Sequence, residues 1–177
     1  LVVPGLPNRI KYDPMQSNPK PEDALYSRIA TAAISSSLNP DICERPRARF
    51  FLRRRDNTRL LNEEELQPIL VARGFTPLYP EDHDFATQCK LFGQAEVVLG
   101  AAGAAFTNLL LMPPQSTAIP LCNSFTTQSS VFSGLAACLN QRTIHCHTPG
   151  IDSTQTFSPY RIDPASLGVI LDLLFPI

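Results

Sequence analysis

Arginines are concentrated in one part of the chain, since seven of the 15 basic residues lie between Arg45 and Arg59. The end of this stretch separates a short apolar run at 50–52 from a helical pattern. A planar guanidinium group matches phosphate oxygens, and free N–H groups at a helix start add positive potential. The stretch therefore fits a diphosphate site. It equally fits a solvated strand end in which Arg59 pairs with Asp56 or Glu63.

A second stretch with the residue types for chemistry, 97–108, leads from an apolar strand pattern through Gly100 and Gly103 into a helical pattern. Small side chains allow a phosphate or a ribose to approach backbone amides closely. The stretch is not a Walker loop, since no Gly-Lys-Ser/Thr follows, and its glycine spacing differs from the dinucleotide fingerprint. The alternative is a tight strand-to-helix turn whose small residues serve packing alone.

Taken together, the two stretches resemble, in order and separation, the signature segments of glycosyltransferase family 61. The family's serine-arginine strand end, second arginine and Asn-Glu pair are matched by Arg53, Arg54, Arg59, Asn62 and Glu63, with Arg53 in place of the usual serine. Its later helix, Ala-acidic-apolar strand, glycine turn and Met-Pro-Pro are matched by Phe85, Gln88, Leu91, Phe92, Ala95, Glu96, Gly100, Gly103, Ala104, Thr107, Asn108, Met112, Pro113 and Pro114. The likeness covers residues 49–121 and is weaker from there to the end.

The resemblance implies a two-domain GT-B enzyme that inverts the sugar carbon and takes a nucleotide-sugar donor, usually a UDP-sugar. This chain would be the C-terminal, donor-binding half. The N-terminal half of the same protein would be its partner and would hold the general base, so no catalytic residue is assigned here. Donor contacts carry over to Arg54, Arg59, Gly103, Ala104, Thr107, Asn108 and Glu81, with Asn62, Glu63 and Gln88 in supporting positions.

The same resemblance implies an acceptor that is a glycan or a protein hydroxyl, and no cofactor beyond the donor substrate. It implies the lumen of the Golgi or another secretory compartment, with an upstream membrane anchor, in a eukaryote. In a bacterium it implies the cytoplasm.

One departure from the family pattern lies in the glycine turn. Members usually have His-Gly-Ala-Gly where this chain has Ala102, Gly103, Ala104 and Ala105. A histidine there would donate to the donor's phosphates or steady the leaving group, so one candidate transition-state contact is missing. Two alternatives to an active transferase stay open: a catalytically degenerate binding member of the family, and an unrelated Rossmann-like nucleotide-binding protein.

His145 and His147 flank Cys146 and would share one strand face, which suggests a metal ligand set. Two imidazoles without a third placed ligand are more often surface or capping residues, so we expect no metal site. The five cysteines include no CxxC pair, which also speaks against structural zinc. Asp84 suits a helix cap, and the chain has no Gly-x-Ser-x-Gly elbow of a serine hydrolase.

Strand and helix patterns alternate along the chain and predict how these residues are positioned. We expect strands at 50–52, 76–79, 96–99, 117–121 and 143–146, and helices from Pro21 to the Asn39-Pro40 stop, at 62–74, 84–92, 106–111 and 130–139, and from Asp163 to the end. Alternation of this kind predicts an α/β fold, a Rossmann-like parallel sheet with helices on both faces and ligands at the carboxyl ends of its strands.

Two helices carry more specific predictions. Asn62 and Glu65 have the spacing of a capping box. In the last helix Leu167, Ile170, Leu171 and Leu174 fall on one face, which predicts that this face is buried.

Composition limits the class of protein. A formal net charge of -1 argues against a protein that coats nucleic acid or anionic lipid. Residues 1–20 hold four prolines and predict an extended N-terminal segment, followed by one domain over 21–177. The chain has no bilayer-spanning apolar run, and it begins with Leu, so we expect a fragment whose N-terminal half and anchor lie upstream.

Overall fold

The structure is a computed structural model that describes residues 8–10, 24–38, 42–56, 58–123, 128–152 and 158–176. Its strands are β1 (Asn8–Ile10), β2 (Ala24–Tyr26), β3 (Ala48–Leu52), β4 (Phe75–Leu78), β5 (Ala95–Ala101), β6 (Thr117–Asn123), β7 (Arg142–Thr143) and β8 (Cys146–Thr148). Its α-helices are α1 (Arg28–Leu38), α2 (Glu63–Val71), α3 (Phe85–Phe92), α4 (Gln128–Cys138) and α5 (Pro164–Leu174), and Pro80–Asp82 and Ala104–Leu111 form 310 helices.

The main sheet is parallel throughout, in the order β4-β3-β5-β6-β7, with β8 also paired to β6. Numbered along the chain, these strands follow the doubly wound order 2-1-3-4-5, which reverses direction between β3 and β5. Ligands of such sheets bind in the crevice at the carboxyl ends of the strands where the order reverses. The predicted parallel α/β sheet is therefore confirmed, and its switch point lies between β3 and β5.

Helices cover both faces of this sheet, as predicted. One apolar cluster joins the sheet to α3, α4 and the 310 helix Ala104–Leu111, with Phe92, Phe106 and Phe132 among its members. The other joins the opposite face to α2 and α5 through Leu66, Leu70, Leu167 and Leu171. The result is a three-layer α/β/α architecture with one core on each side of the sheet.

The predicted helix from Pro21 is wrong at its start. Residues 24–26 form β2, which pairs antiparallel with β1, so the helix begins only at Arg28. Its buried residues are Thr31 and Ser35, whereas Ile29 is 85% exposed. The apolar spacing that included Leu25 therefore misassigned the inner face of α1, because strand pairing outweighed the local helical pattern.

Three further details differ from the sequence pattern. In α5, Leu167 and Leu171 are buried but Ile170 and Leu174 are each 36% exposed, so the apolar face is wider than the buried one. The single strand expected at 143–146 is divided into β7 and β8. The predicted strands at 50–52, 76–79, 96–99 and 117–121, and the capped helix after Asp84, are confirmed with small shifts of their ends.

Most of the expected N-terminal segment 1–20 lies outside the described residues, apart from the strand at 8–10. Among the residues that the structure describes, no helix has the length and apolar character needed to cross a bilayer.

Candidate functional site

The switch point brings the end of the arginine stretch and the glycine turn together. In the β3–β5 pair, Leu52 lies opposite Gly100, and a Cβ atom on Gly100 would lie only 2.4 Å from the Leu52 carbonyl oxygen. Glycine at this position therefore sets how closely the two strands approach. Just past both strand ends, Arg54 Nη1 lies 3.8 Å from the position that a Cβ atom on Gly103 would occupy. The two segments that sequence alone could not connect are thus neighbours.

An open cleft of about 460 Å³ lies beside Arg54. Its lining is formed by Arg54, Arg55, Asp56, Pro80, Glu81, Ala104 and Ala105. The predicted donor-binding residues Arg54, Glu81 and Ala104 therefore border one cavity, with Gly103 next to Arg54. Only small side chains come from the glycine turn, so the cleft reaches the backbone there.

Ion pairs within the cleft are exposed and exchangeable. Arg54 pairs with Asp56 at 3.0 Å, and their side chains are 45% and 75% exposed. Arg55 pairs with Asp82 at 2.6 Å, and this hydrogen bond lowers the pKa of Asp82. Exposed pairs of this kind contribute little to stability, which leaves Arg54 able to exchange its partner for an incoming anion.

Hydrogen bonds fix the walls of the cleft. The Gln88 side-chain amide donates to the carbonyl oxygens of Pro80 and His83, both at 3.0 Å, and its oxygen accepts from Asn108 Nδ2 at 3.3 Å. Gln88 thereby ties the turn that carries Glu81 to the 310 helix after the glycine turn. Glu81 Oε1 in turn accepts from the Arg55 backbone N–H at 3.0 Å.

Thr107 lies in the same 310 helix, where its hydroxyl donates to the Ala104 carbonyl at 2.7 Å. The structure thus places Thr107 on the first turn after the glycine turn and Asn108 in the network that holds the cleft wall. Asn108 contacts the predicted supporting residue Gln88 directly.

Arg53 and Glu63 pair with each other and do not line the cleft. The Arg53 side chain is only 12% exposed and donates to Glu63 at 3.2 Å, to Gln67 at 2.6 Å and to Glu64. Its guanidinium also lies over the Tyr79 ring, 5.4 Å from the centroid. Arg53 therefore fastens the start of α2 to the end of β3 on the face away from Arg54.

Arg59 is linked to the glycine turn indirectly, through Tyr160. Its carbonyl accepts from the Tyr160 N–H at 2.8 Å, and its charge opposes the burial that raises the pKa of Tyr160. The Tyr160 hydroxyl donates to the Leu121 carbonyl at 2.6 Å, and the Ala102 N–H donates to the same carbonyl at 2.8 Å. Within the described chain, Arg59 is not among the residues that line the cleft.

Asn62 does not form the predicted capping box. Its side chain makes no capping bond to the α2 backbone. Its amide nitrogen donates to the Ile162 carbonyl at 2.8 Å, and its oxygen accepts from the Ile162 N–H at 3.1 Å. Asn62 is buried, and these two hydrogen bonds join the segment before α5 to the start of α2. Its supporting role is therefore one of holding two loops together.

The family model described as Glycosyltransferase 61 matches residues 3–119 of this chain, about two thirds of its length. The chain belongs to glycosyltransferase family 61. No curated protein matches it at a significant level. The match includes both the arginine segment and the glycine turn, so the residues that form the cleft are family 61 residues, and the alternative of an unrelated nucleotide-binding protein is set aside.

The family 61 chain departs from the usual pattern at Ala102, and the fold shows the surroundings of that departure. The Ala102 side chain is 6% exposed and belongs to the apolar cluster that contains Phe106. A histidine at this position would therefore have its Cβ in a buried site, and its imidazole ring would need more room than the alanine methyl group occupies.

Sequence reasoning missed Arg55 and Pro80 in the cleft lining and Asp82, the ion-pair partner of Arg55. Arg55 was visible as the third arginine of the same run, but the run gave no sign of which arginine faced which side. Pro80 and Asp82 gave no comparable signal, because their place in the site depends on the turn after β4 reaching β3.

Proposed function

We propose that the cleft at the β3–β5 switch point binds the diphosphate of a nucleotide-sugar, a UDP-sugar by family resemblance, for inverting transfer to a hydroxyl of a glycan or glycoprotein. The observation that carries this proposal is that Arg54 Nη1 lies 3.8 Å from where a Cβ atom on Gly103 would be, beside an open cavity. Family membership supports the glycosyltransferase function, and this arrangement supports donor binding in the cavity.

Phosphate binding follows from a change of partner at Arg54. Two cationic and two anionic side chains line the cleft, so the formal charges of its side chains balance. A diphosphate offers Arg54 a bidentate acceptor with more charge than Asp56. Backbone amides at the start of the 310 helix after Gly103 add donors that lack partners within the helix. The small side chains of Ala104 and Ala105 leave room for that approach.

Glu81 is suited to the nucleoside end of the donor. One of its carboxylate oxygens accepts from the Arg55 amide, which fixes the side chain at the cleft while a carboxylate retains further acceptor sites. Acidic side chains near the end of a neighbouring strand commonly bind ribose hydroxyls in doubly wound folds. We assign Glu81 that contact.

Catalysis in this proposal is electrostatic. As the sugar leaves, negative charge grows on the nucleotide, and a guanidinium already in position stabilises that charge without reorganisation. The acceptor hydroxyl needs a general base for an inverting step. We place that base in an N-terminal half of the protein, which would also close the cleft.

Calorimetric titration with UDP tests the proposal. We expect Arg54→Ala to weaken UDP binding roughly 10- to 150-fold, the range for loss of a hydrogen bond to a charged group of about 1.5–3 kcal/mol. Arg161→Ala is the matched control, because Arg161 is also exposed and ion-paired, with Glu65, but lies outside the cleft lining. Equal UDP affinity in wild type and Arg54→Ala, or no UDP binding in wild type, contradicts the proposal.

Arg59→Ala extends the test to the second face. If the donor spans the glycine turn and also contacts Arg59, this variant loses UDP affinity to a similar degree. If the Arg59 side chain does not reach the donor, the variant keeps both its UDP affinity and the hydrogen bond from the Tyr160 N–H, which the backbone carbonyl at position 59 still accepts.

A second candidate, a family member that binds donors but does not transfer them, is favoured by one observation. Ala102 contributes a buried methyl group at the position where members usually carry a histidine beside the phosphates. In this case UDP binding depends on Arg54 as above, but the protein shows neither transfer nor hydrolysis of UDP-sugars.

A further inference from the structure

A second cluster of chemically competent side chains lies at the same carboxyl edge, outside the donor cleft. Cys122 near the end of β6 is paired in register with His147 of β8, and His145 lies just before β8. The Cys122 sulfur and one ring nitrogen from each histidine all lie within 4.8 Å of one another. The sequence placed two imidazoles together, and the parallel pairing of β6 with β8 brings in the third group.

The hydrogen bonds around the cluster do not provide a partner for every ring nitrogen in it. Cys122 Sγ lies 3.3 Å from His147 Nδ1. His145 Nε2 lies 2.6 Å from the Ser133 hydroxyl of α4. His145 Nδ1 is buried and has no hydrogen-bond partner among the described residues. A buried ring nitrogen without a partner is costly, so its retention calls for an explanation.

We propose that Cys122, His145 and His147 bind a zinc-class divalent metal ion. Cys122 supplies a thiolate, His147 supplies Nδ1, and His145 supplies Nδ1 because Ser133 already occupies its Nε2. The three ligands leave a fourth position, which water fills from the exposed side of His147.

The distances and the ligand types suit this class of ion. Tetrahedral zinc with sulfur and imidazole ligands places donor atoms about 3.3–3.6 Å apart, given Zn–S of about 2.3 Å and Zn–N of about 2.0–2.1 Å. The sulfur and Nδ1 of the Cys122–His147 pair already lie at 3.3 Å, so only His145 has to move to complete the set. The cluster contains no carboxylate and one sulfur, which disfavours Mg²⁺ and Ca²⁺.

The contact to Ser133 has the character of an outer ligand partner. Metal-binding histidines almost always use their other ring nitrogen in a hydrogen bond that fixes the tautomer. Ser133 provides that bond and lies on α4, while Cys122 and His147 lie on two strands. The ion would therefore fasten the three-residue strand β8 and α4 to β6.

Metal binding is balanced by loss of one proton. A cysteine binds the metal as its thiolate, so formation of the metal–sulfur bond releases the Cys122 thiol proton to solvent.

Cobalt titration of the metal-stripped full chain tests the site. Co²⁺ reports thiolate ligation by a charge-transfer band in the near ultraviolet and tetrahedral geometry by visible bands. We expect both, saturating at one ion per chain and displaced by Zn²⁺ but not by Mg²⁺. Zinc should also raise the melting temperature, since an ion bound only to the folded state stabilises it.

His147→Ala and Cys122→Ser should each weaken Zn²⁺ binding by more than about 100-fold, because loss of a ligand exceeds the 10- to 100-fold effect of losing an outer partner. The matched controls are His83→Ala and Cys138→Ser, the third histidine of the chain and a partly buried cysteine outside the cluster. Both should bind as wild type does.

No thiolate band in the folded wild type, or unchanged affinity in His147→Ala, overturns the proposal. Circular dichroism shows whether Cys122→Ser folds; if it does not, the exposed His147 decides the question alone. Loss of cobalt binding in either control also overturns the assignment of these three ligands.

Discussion

Adjacent arginines at the end of β3 do different work because successive residues of an extended chain point to opposite faces. Arg53 points to the α2 layer, where three acceptors hold it. Arg54 points to the glycine turn and keeps one exposed partner. The replacement of the family's usual serine by Arg53 therefore adds side-chain hydrogen bonds between β3 and α2, while the arginine that lines the cleft is kept.

The position of Ala102 allows a residue-scale prediction. Ala102→His places an imidazole where a methyl group is 6% exposed, and overpacking of this kind costs about 1–3 kcal/mol. At about 2–4 °C for each kcal/mol, the melting temperature should fall by several degrees. Differential scanning calorimetry measures the shift, and UDP-sugar transfer is assayed on the same sample.

Ala102→Ser is the control for polarity, because it adds a hydroxyl at the same buried position without the bulk of an imidazole. If Ala102→His keeps the wild-type melting temperature, the surrounding side chains accommodate the imidazole and the overpacking argument is wrong. If it also gains transfer activity, the chain is a degenerate member that a single histidine restores.

Much of the site was predictable at the residue scale because the resemblance carries a residue order, and the fold turns that order into contacts. Arg54, Gly103 and Ala104 came from the pattern, as did Gln88 and Asn108 individually, whereas the hydrogen bond between the last two came from the structure. The placement of Arg59 outside the cleft lining was not predictable, since its backbone carbonyl is held by the N–H of Tyr160, which is distant in sequence. Cys122 was hidden for a similar reason, because its partners lie on another strand.

At the scale of elements, the site depends on how closely β3 and β5 approach. A methyl group on Gly100 would lie 2.4 Å from the Leu52 carbonyl, inside van der Waals contact with backbone that cannot rotate away. Gly103 is different: the nearest atom to its added Cβ would be Arg54 Nη1 at 3.8 Å, an ordinary contact. One glycine therefore serves the sheet and the other serves the cleft.

This difference predicts opposite effects for two alanine variants. Gly100→Ala should lower the free energy of unfolding by about 1–3 kcal/mol through strand separation. Gly103→Ala should leave stability close to wild type but weaken UDP binding, because its methyl group enters the space beside Arg54. Chemical denaturation and calorimetry of both variants provide the comparison. Equal stability of the two variants would show that β3 and β5 adjust to the extra methyl group.

The helices and strands of the α/β repeat were predictable where three signals agreed: the spacing of the apolar residues, the N-cap residue and the glycine that follows the helix. The α3 helix is one such case: Asp84 accepts from the Thr87 N–H at 2.8 Å and Gly93 follows the last turn. The pattern failed at α1 and β2, where pairing with distant residues 8–10 turned a helical spacing into a strand. Long-range pairing of this kind leaves no local signal in the residues it recruits.

At the scale of the whole molecule, a bidentate ion pair joins the two helices that cover one face of the sheet, α2 and α5. Arg73, just after α2, donates through Nε and Nη2 to both carboxylate oxygens of Asp172 in α5, each at 2.8 Å. The same guanidinium donates to the Ile69 carbonyl at 3.1 Å. The two helices pack on the sheet through Leu70 and Leu171, so the pair fixes their ends at the rim of an apolar contact.

This pair makes stability depend on pH in a known direction. Hydrogen bonds from Arg73 hold the pKa of Asp172 below its ordinary value in the folded state, so the unfolded chain takes up the proton first as pH falls. The contribution of the pair is thus complete above about pH 4, the ordinary range of an aspartate, and is lost as pH falls through the lowered value.

Asp172→Asn should therefore melt below wild type at pH 6, and the two melting temperatures should converge towards pH 2. The double variant Arg73→Gln with Asp172→Asn should show no further pH dependence from this site. A difference between wild type and Asp172→Asn that stays constant from pH 6 to pH 2 would mean that the asparagine acts through helix packing and not through the charge.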